Sequence, residues 1–299
     1  MQGIADVQGR EPALNTRFLV FGASGYIGTN LVPFLSARGL SVKAAARNVD
    51  VLRSRDWPGV TLCQADALDP DSLPAALADI DVAFYLVHSM AAGKAFGRLD
   101  LQAAKLFAAA AARAGVKRIV YLGGLVPAGA AGEHILSRRD TGEVLRQGAV
   151  PVTEVRAGII IGPGSAAFEV MRDLALNLPL MVTPRWVRAL SPPIALENLL
   201  TYLLGVATLP QAADGIYDAA GPERVTYEDM MKQVAALCGQ RPPQIIPVAG
   251  LSPTQACDGR GVVTAGAPDS AQAGVGGLKH DSGAAAAGGR VLVPQRRAP

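Results

Sequence analysis

The sequence predicts an α/β protein: a Rossmann-type, doubly wound parallel sheet, a small C-terminal α/β lobe and a disordered tail. Three observations carry that prediction. Short β-rich runs alternate with longer amphipathic runs from Arg17 onward, the order expected of a parallel sheet covered by helices. The first run ends in glycines at three-residue spacing, Gly22-Ala23-Ser24-Gly25-Tyr26-Ile27-Gly28, and leads into a helical pattern. The 299 residues, 50% of them hydrophobic, suffice for one large core with a modest extension.

The strands are expected at Arg17–Phe21, Ser41–Ala46, Val60–Gln64, Asp81–Val87, Lys117–Leu122 and Val152–Ile161. A helix over Tyr26–Arg38 is stopped by Gly39, and one over Phe96–Ala114 by Gly115. In the second, Leu99, Ala103, Leu106, Phe107, Ala110 and Ala114 recur at helical spacing, and its alanines permit close packing on the sheet. Ala166–Leu178 reads as helix, and Pro179–Pro193 as a loop over the sheet edge. That loop carries Arg185, Trp186 and Arg188, which either line a cleft or anchor the loop by cation–π contact. Two further helices are expected at Glu197–Val206 and Thr226–Cys238, the latter capped by Thr226 with Asp229 three residues on. The expected organisation is an extension (1–16), a nucleotide-binding domain (17–165), a substrate-facing lobe (166–250) and a Gly/Ala-rich tail (251–299). From Ser252 the tail has no aromatic residue, isoleucine, methionine or glutamate, so it can bury little apolar surface and is expected to be disordered. A reading-frame error in a GC-rich gene is a second explanation for its composition.

A net charge of +3 with 18% charged residues is too mild for a nucleic-acid partner and points to a small-molecule ligand. Cys63, Cys238 and Cys257 have no metal-ligand spacing and form no even disulfide set, so no metal is expected and the thiols suit a reducing compartment. Met1–Asn15 lacks the basic start and apolar stretch of a secretory signal. The most apolar windows, Ile80–Val87 and Val155–Ile161, are far shorter than the about 20 residues a membrane span requires. A cytoplasmic location without an integral membrane segment is expected.

Within the glycine motif, Gly22 lets the chain turn sharply, Gly25 lets backbone approach a pyrophosphate, and Gly28 lets helix and strand pack closely. Free amides from Ser24 to Ile27 then face the phosphates, helped by the helix dipole. The spacing GxxGxxG is one residue longer in its first interval than the usual dehydrogenase fingerprint. The second strand ends in Ala46-Arg47-Asn48; an acidic residue there would bind ribose hydroxyls, whereas an arginine accommodates a 2′-phosphate. Arg47 therefore points to NADP(H), with NAD(H) possible, against the plain alternative of a surface arginine. At the end of the third strand, Asp66-Ala67 faces an adenine edge, or Asp66 caps the following turn. Leu86, Val87 and His88 fall at the carboxyl edge of the sheet, where ligands of this architecture bind. His88 is either a site residue or a structurally hydrogen-bonded histidine.

Gly22–Gly28, Arg47, Asp66 and the run Tyr85-Leu86-Val87-His88-Ser89-Met90 together resemble the atypical branch of the extended short-chain dehydrogenase/reductase superfamily. The likeness is to NmrA-like redox-sensing regulators and to the nucleotide-binding accessory subunit of respiratory complex I, and covers Arg17 to Gly250. Val152–Arg156, Met181–Val187 and Pro193-Ile194 strengthen it. The resemblance implies hydride transfer between a nicotinamide cofactor and a small organic or quinone-like substrate. Active members carry a serine or threonine after the fifth strand, and a tyrosine four residues before a lysine on the next helix. Here Gly123-Gly124 follows Tyr121-Leu122, and the next helix offers His134-Ile135-Leu136-Ser137-Arg138, so every catalytic position is substituted. His134 could relay protons near neutral pH and Arg138 could hold a ribose or a developing negative charge, or both are solvated helix residues. Arginine cannot take over lysine's chemistry. Two functions stand side by side: an NAD(P)-dependent oxidoreductase, and a non-catalytic redox sensor or assembly subunit with a protein partner or as a homodimer.

Overall fold

In β1 (Arg17–Phe21), Phe18 and Val20 face one side, Leu19 and Phe21 the other, and none is more than 2% exposed. A strand buried on both faces belongs inside a sheet covered on both sides. The computed structural model describes residues 16–88, 96–125 and 133–248 and the backbone of 292–294. After β1 come α1 (Tyr26–Ser36), β2 (Ser41–Ala46), α2 (Val49–Arg53), β3 (Thr61–Gln64), α3 (Leu73–Leu77) and β4 (Val82–Tyr85). Then follow α4 (Phe96–Arg113), β5 (Arg118–Gly124), α5 (Glu133–Arg146) and β6 (Val152–Ala157).

The main sheet runs β3-β2-β1-β4-β5-β6, all parallel, and is extended beyond β6 by a strand from the C-terminal part. Strand order reverses between β1 and β4, which opens the crevice at their carboxyl ends. Leu31, Val32 and Leu35 of α1 cover one face, while Phe107 and the buried alanines 103, 104, 108, 110 and 111 of α4 cover the other. Small side chains let that helix lie close to the strands, as the alanine pattern predicts. Gly39 and Gly115, at φ of 72° and 73°, follow α1 and α4 in the left-handed region expected of C-terminal stops.

The remainder comprises β7 (Ile160–Ile161), α6 (Ala166–Asn177), β8 (Leu180–Pro184), β9 (Leu190–Ser191), β10 (Ile194–Ala195) and α7 (Leu196–Thr208). β11 (Ile216–Ala219), β12 (Val225–Thr226), α8 (Tyr227–Leu237), β13 (Gln244–Val248) and β14 (Leu292–Pro294) complete it. β11 pairs parallel with β6, and β14 adds an antiparallel edge to β11. α7 joins α1 on its face of the sheet through Leu199, Leu200, Leu203 and Val206. A separate cluster of Ile159, Met171, Met181, Val187, Tyr227, Met230 and Met231 forms a second small core. The capping box at Thr226 and Asp229 is present in full.

Two sequence expectations are corrected. The single strand over Val152–Ile161 breaks after Ala157, because the chain leaves the main sheet and β7 pairs with β10. Gly158 allows the departure: a Cβ there would lie 2.5 Å from the Pro192 carbonyl oxygen. The loop expected over Pro179–Pro193 instead contains β8, a 3-10 turn at Arg185–Arg188, and β9. β8 is a strand because β13, distant in sequence, pairs with it along its whole length, a tertiary partner that local composition does not reveal. The disorder expected for 251–299 lies outside the described residues, except that Leu292–Pro294 form β14.

Candidate functional site at the carboxyl edge of the sheet

The loop after β1 is fixed by backbone contacts. The amides of Gly22 and Ala23 both donate to the Ala45 carbonyl at 3.0 Å, which ties the turn to β2. Gly22 has φ of +97°, and a Cβ on it would come 3.1 Å from the Leu86 backbone, so the loops after β1 and β4 touch only because position 22 has no side chain. Gly28 is tighter: a Cβ there would sit 2.4 Å from the Gly22 oxygen and 2.6 Å from Ala23 Cα. The start of α1 is thereby pressed onto the strand end. Gly25 occupies the N-cap with no side-chain cap, and no acidic residue lies in the first turn. The first amides of a helix have no intrahelical acceptor, and Ser24 and Gly25 are exposed. An uncapped, exposed helix start without carboxylates, held close to the switch point, fits a phosphate.

Tyr26 leaves this loop toward the C-terminal part. Its hydroxyl is buried without a partner, and a Cβ on Gly162 would approach it to 2.8 Å. Burial, then the charge of Glu169, raises the phenol's pKa above its ordinary value. Ile27 is half-buried beside it. Glu169 Oε1 accepts from the Gly164 amide at 2.9 Å and so shapes the loop that Tyr26 touches.

Arg47 follows β2 directly, is exposed, and makes no hydrogen bond or ion pair among the described residues. Asp66 is half-buried, and its Oδ1 accepts from the Leu68 amide at 3.0 Å. Its backbone amide and carbonyl are both engaged by the Ser72 hydroxyl. The turn-capping reading of Asp66 is therefore realised in the structure, and Ala67 behind it is buried. Leu86 and Val87 are half-buried where the β4 loop meets Gly22.

His88 lies beside Tyr121 of β5, ring centroids 6.0 Å apart, edge to face. Its Nδ1 is buried without a hydrogen-bond partner. Burial, then the nearby Arg138 guanidinium, pushes its pKa down to about 3, against an opposing backbone contact at Leu122. The imidazole is neutral at physiological pH. Tyr121 is fully buried, and its hydroxyl donates to the Arg138 carbonyl at 2.9 Å, which joins the end of β5 to α5. Arg138 itself is half-buried and lies against Gly124, where a Cβ would be 3.6 Å from its Cδ. His134 is in the first turn of α5, with its side chain outside the described residues.

Sequence reasoning missed the buried carboxylate behind this wall. Glu154 of β6 is 1% exposed, paired with Arg146 of α5 and, at 2.8 Å, with Arg156. A Cβ on Gly123 would lie 2.9 Å from one of its oxygens, and a Cβ on Gly142 would lie 2.7 Å from the other. Gly123, one of the pair standing where active relatives carry serine or threonine, thus gives room to Glu154. A glutamate at the centre of a strand otherwise read as buried was the available signal. Trp186 contacts Tyr227 edge to face at 5.8 Å, and Arg188 pairs with Glu228 at 3.0 Å. That segment is anchored by ring packing and an ion pair, and makes no cation–π contact among the described residues. Among the described residues there is no cluster able to hold a metal, and no helix is long and apolar enough to cross a membrane. Cys63 and Cys238 are free thiols.

Comparison with known proteins agrees with this geometry. Residues 22–156 match the NAD(P)H-binding family. A 121-residue stretch is 31% identical to divinyl chlorophyllide a 8-vinyl-reductase of Cucumis sativus, covering 36% of this chain and 29% of that relative. The Citrobacter sp. triphenylmethane reductase complexed with NADP(H) superposes with a TM-score of 0.71 at 19% identity, over 90% of this chain and 92% of that one. The UDP-glucose 4-epimerase of Thermus thermophilus in complex with NAD gives 0.63 at 18% identity, over 88% and 97%. Residues 22–156 thus match an NAD(P)H-binding family, within a Rossmann fold shared with these solved structures.

Proposed function

We propose that the protein is an NADP(H)-dependent oxidoreductase acting on a small organic or quinone-like acceptor at the carboxyl edge of its sheet. The observation that carries this reading is the uncapped start of α1, with an unpaired arginine one residue past β2. The amides of Ser24 and of the first turn of α1 would hold the pyrophosphate. Arg47, without a partner among the described residues, would hold the 2′-phosphate that separates NADP from NAD. Gly22, Leu86, Val87 and His88 would border the path from the pyrophosphate to the reacting ring, and Ala67 would border the adenine. Asp66, already committed to its turn through Oδ1, would orient that wall. A bound nicotinamide supplies the hydride chemistry, while the protein fixes geometry and excludes water. The triphenylmethane reductase of Citrobacter sp. is complexed with NADP(H) in the same fold, which supports the phosphorylated nucleotide.

The substitution of the Tyr/Lys pair by His134 and Arg138 favours a second reading, a redox sensor or assembly subunit that binds the nucleotide without turnover. Titration calorimetry with NADPH, NADP, NADH and NAD, on the wild type and on Arg47→Ala, tests the nucleotide claim. NADPH is expected to bind more tightly than NADH, and Arg47→Ala to lose about tenfold in NADPH affinity, the worth of one charge-assisted hydrogen bond, with NADH unaffected. Failure of all four nucleotides to bind would remove both readings. Binding without NADPH oxidation by any organic acceptor would favour the sensor.

A further inference from the structure

Three arginines lie on α5, and they are not treated alike. Arg146 is paired with Glu154, and Arg139 with Asp140 at 2.8 Å. The guanidinium of Arg138 has no ion pair or hydrogen bond among the described residues, although it is half-buried. Gly124 beside it adds no side chain, and the neighbouring His88 is neutral with an unpartnered buried Nδ1. A half-buried guanidinium with no counter-ion among the described residues has donors free for an anion. Its place, against Gly124 at the end of β5, borders the carboxyl-edge crevice where ligands of this architecture bind.

Arginine stays protonated in proteins, so it can hold an oxyanion but cannot donate a proton to it. That restricts the chemistry it can serve. Reduction of a plain ketone makes a strongly basic alkoxide, which needs an acid at the moment of transfer. Reduction of a conjugated carbonyl makes a delocalised enolate, which a fixed cation can stabilise until water supplies the proton.

We propose that Arg138 is the oxyanion-holding residue of this site and that the acceptor is an α,β-unsaturated carbonyl compound, a unit that quinones also contain. The proposal rests on the nucleotide-binding reading above. The β-carbon receives a hydride from the reduced nicotinamide, forming a C–H bond and leaving the nicotinamide oxidised. The π pair of the C=C bond moves to place negative charge on the carbonyl oxygen, against Arg138. Water then protonates the α-carbon and gives the saturated carbonyl.

The experiment uses the full chain as wild type, Arg138→Gln and Arg138→Lys, with thermal unfolding to check that each is folded. Para-nitrophenol, whose phenolate imitates the enolate, is titrated optically in the presence of NADP, and NADPH affinity is measured by calorimetry. NADPH oxidation is followed with cyclohexenone, benzylideneacetone and menadione, and with cyclohexanone as the saturated control. The expected result is a phenolate signal lost by tenfold or more in Arg138→Gln and partly kept in Arg138→Lys, with NADPH affinity held within about twofold. Turnover of the conjugated acceptors should fall about 100-fold in Arg138→Gln, the usual effect of removing one oxyanion donor. Cyclohexanone should be inert. The proposal is overturned if Arg138→Gln weakens NADPH while phenolate binding persists, which would make Arg138 a ribose clamp. It is also overturned if cyclohexanone reacts as fast as cyclohexenone, or if the protein binds NADPH yet neither binds phenolate nor reduces any conjugated acceptor. Absence of NADPH binding in the wild type would instead fell the nucleotide reading on which this one stands.

Discussion

The loop after β1 and the wall between β5 and α5 border the same crevice but are built in opposite ways. Around Gly22–Gly28 the constraints are mainly backbone atoms: carbonyls, amides and missing Cβ atoms set the tightest approaches. Around Tyr121, Arg138 and Glu154 the constraints are charged and hydroxyl side chains drawn from β5, β6 and α5. A surface made of backbone tolerates almost any residue pointing outward but no side chain at Gly22 or Gly28. A surface made of buried charge tolerates changes of shape but not of charge balance. Substitutions should therefore divide: at the wall stability is lost and nucleotide binding kept, whereas at the loop nucleotide binding is lost along with a smaller part of the stability.

The largest effect is expected at the wall. Glu154→Gln keeps the side-chain volume but leaves Arg146 and Arg156, only 11% and 13% exposed, without their counter-charge. Breaking a buried pair from one side costs about 3–5 kcal/mol, to be read from the urea midpoint. Any variant that stays folded at low temperature should keep its NADPH affinity. If Glu154→Gln is as stable as the wild type, Glu154 is hydrated and the contrast drawn here fails.

The same contrast explains what could be read from the sequence. The loop was legible because a backbone device leaves its mark in consecutive residues: Gly22, Gly25 and Gly28 can be counted on one line. The apolar run of β1 and the alanine stripe of α4 are local as well, and both appear in the structure where the pattern puts them. The wall was not legible, because Glu154 acquires meaning only when β6 pairs with β5 and α5 packs over both. Gly123 read only as a lost catalytic position, whereas in space it and Gly142 are the two sides of one carboxylate's pocket. The β8–β13 pairing failed to show for the same reason: its partner strands are distant in sequence, and Pro179 and Pro184 near β8 suggested a loop.

The next effect belongs to the loop. In Gly28→Ala the new methyl would meet the Gly22 oxygen and Ala23 Cα, backbone atoms that cannot rotate aside. An overpacking cost of about 1–3 kcal/mol is expected, together with a loss of NADPH affinity of more than about tenfold as the first turn of α1 is pushed off the strand end. Gly25→Ala is the control: the nearest atom to its methyl is 3.4 Å away, so stability should change by no more than about 0.5 kcal/mol. A large loss of binding in that variant would come from the ligand's own space. Equal stability losses at positions 25 and 28 would show that the loop is not held by the contact described.

The smallest effect is one of pH, and its sign is opposite to that of a histidine stabilised by a carboxylate. His88 has a pKa of about 3 in the folded protein, through burial and the Arg138 charge, against an ordinary value of 6.5. Between those values the unfolded chain binds a proton that the native state refuses, so stability rises with pH across this window. The contribution is complete above 6.5 and is withdrawn on acidification, at up to about 1.4 kcal/mol per pH unit. Asp81 and Glu228, whose pKa values are held low by their cationic partners, lose their own contributions only as pH falls below the carboxylate range. The interval from about pH 5 to pH 6.5 therefore isolates histidine. The chain has only three histidines, and a His88→Asn variant should flatten the urea midpoint across that interval while His134→Asn leaves the slope in place. Arg138→Gln removes one of the two causes of the shift, so its slope should be shallower than the wild type's. A wild-type profile that is level from pH 5 to pH 6.5 would mean that His88 is solvated or partnered, and the unpaired charge of Arg138 would then no longer be felt inside the wall.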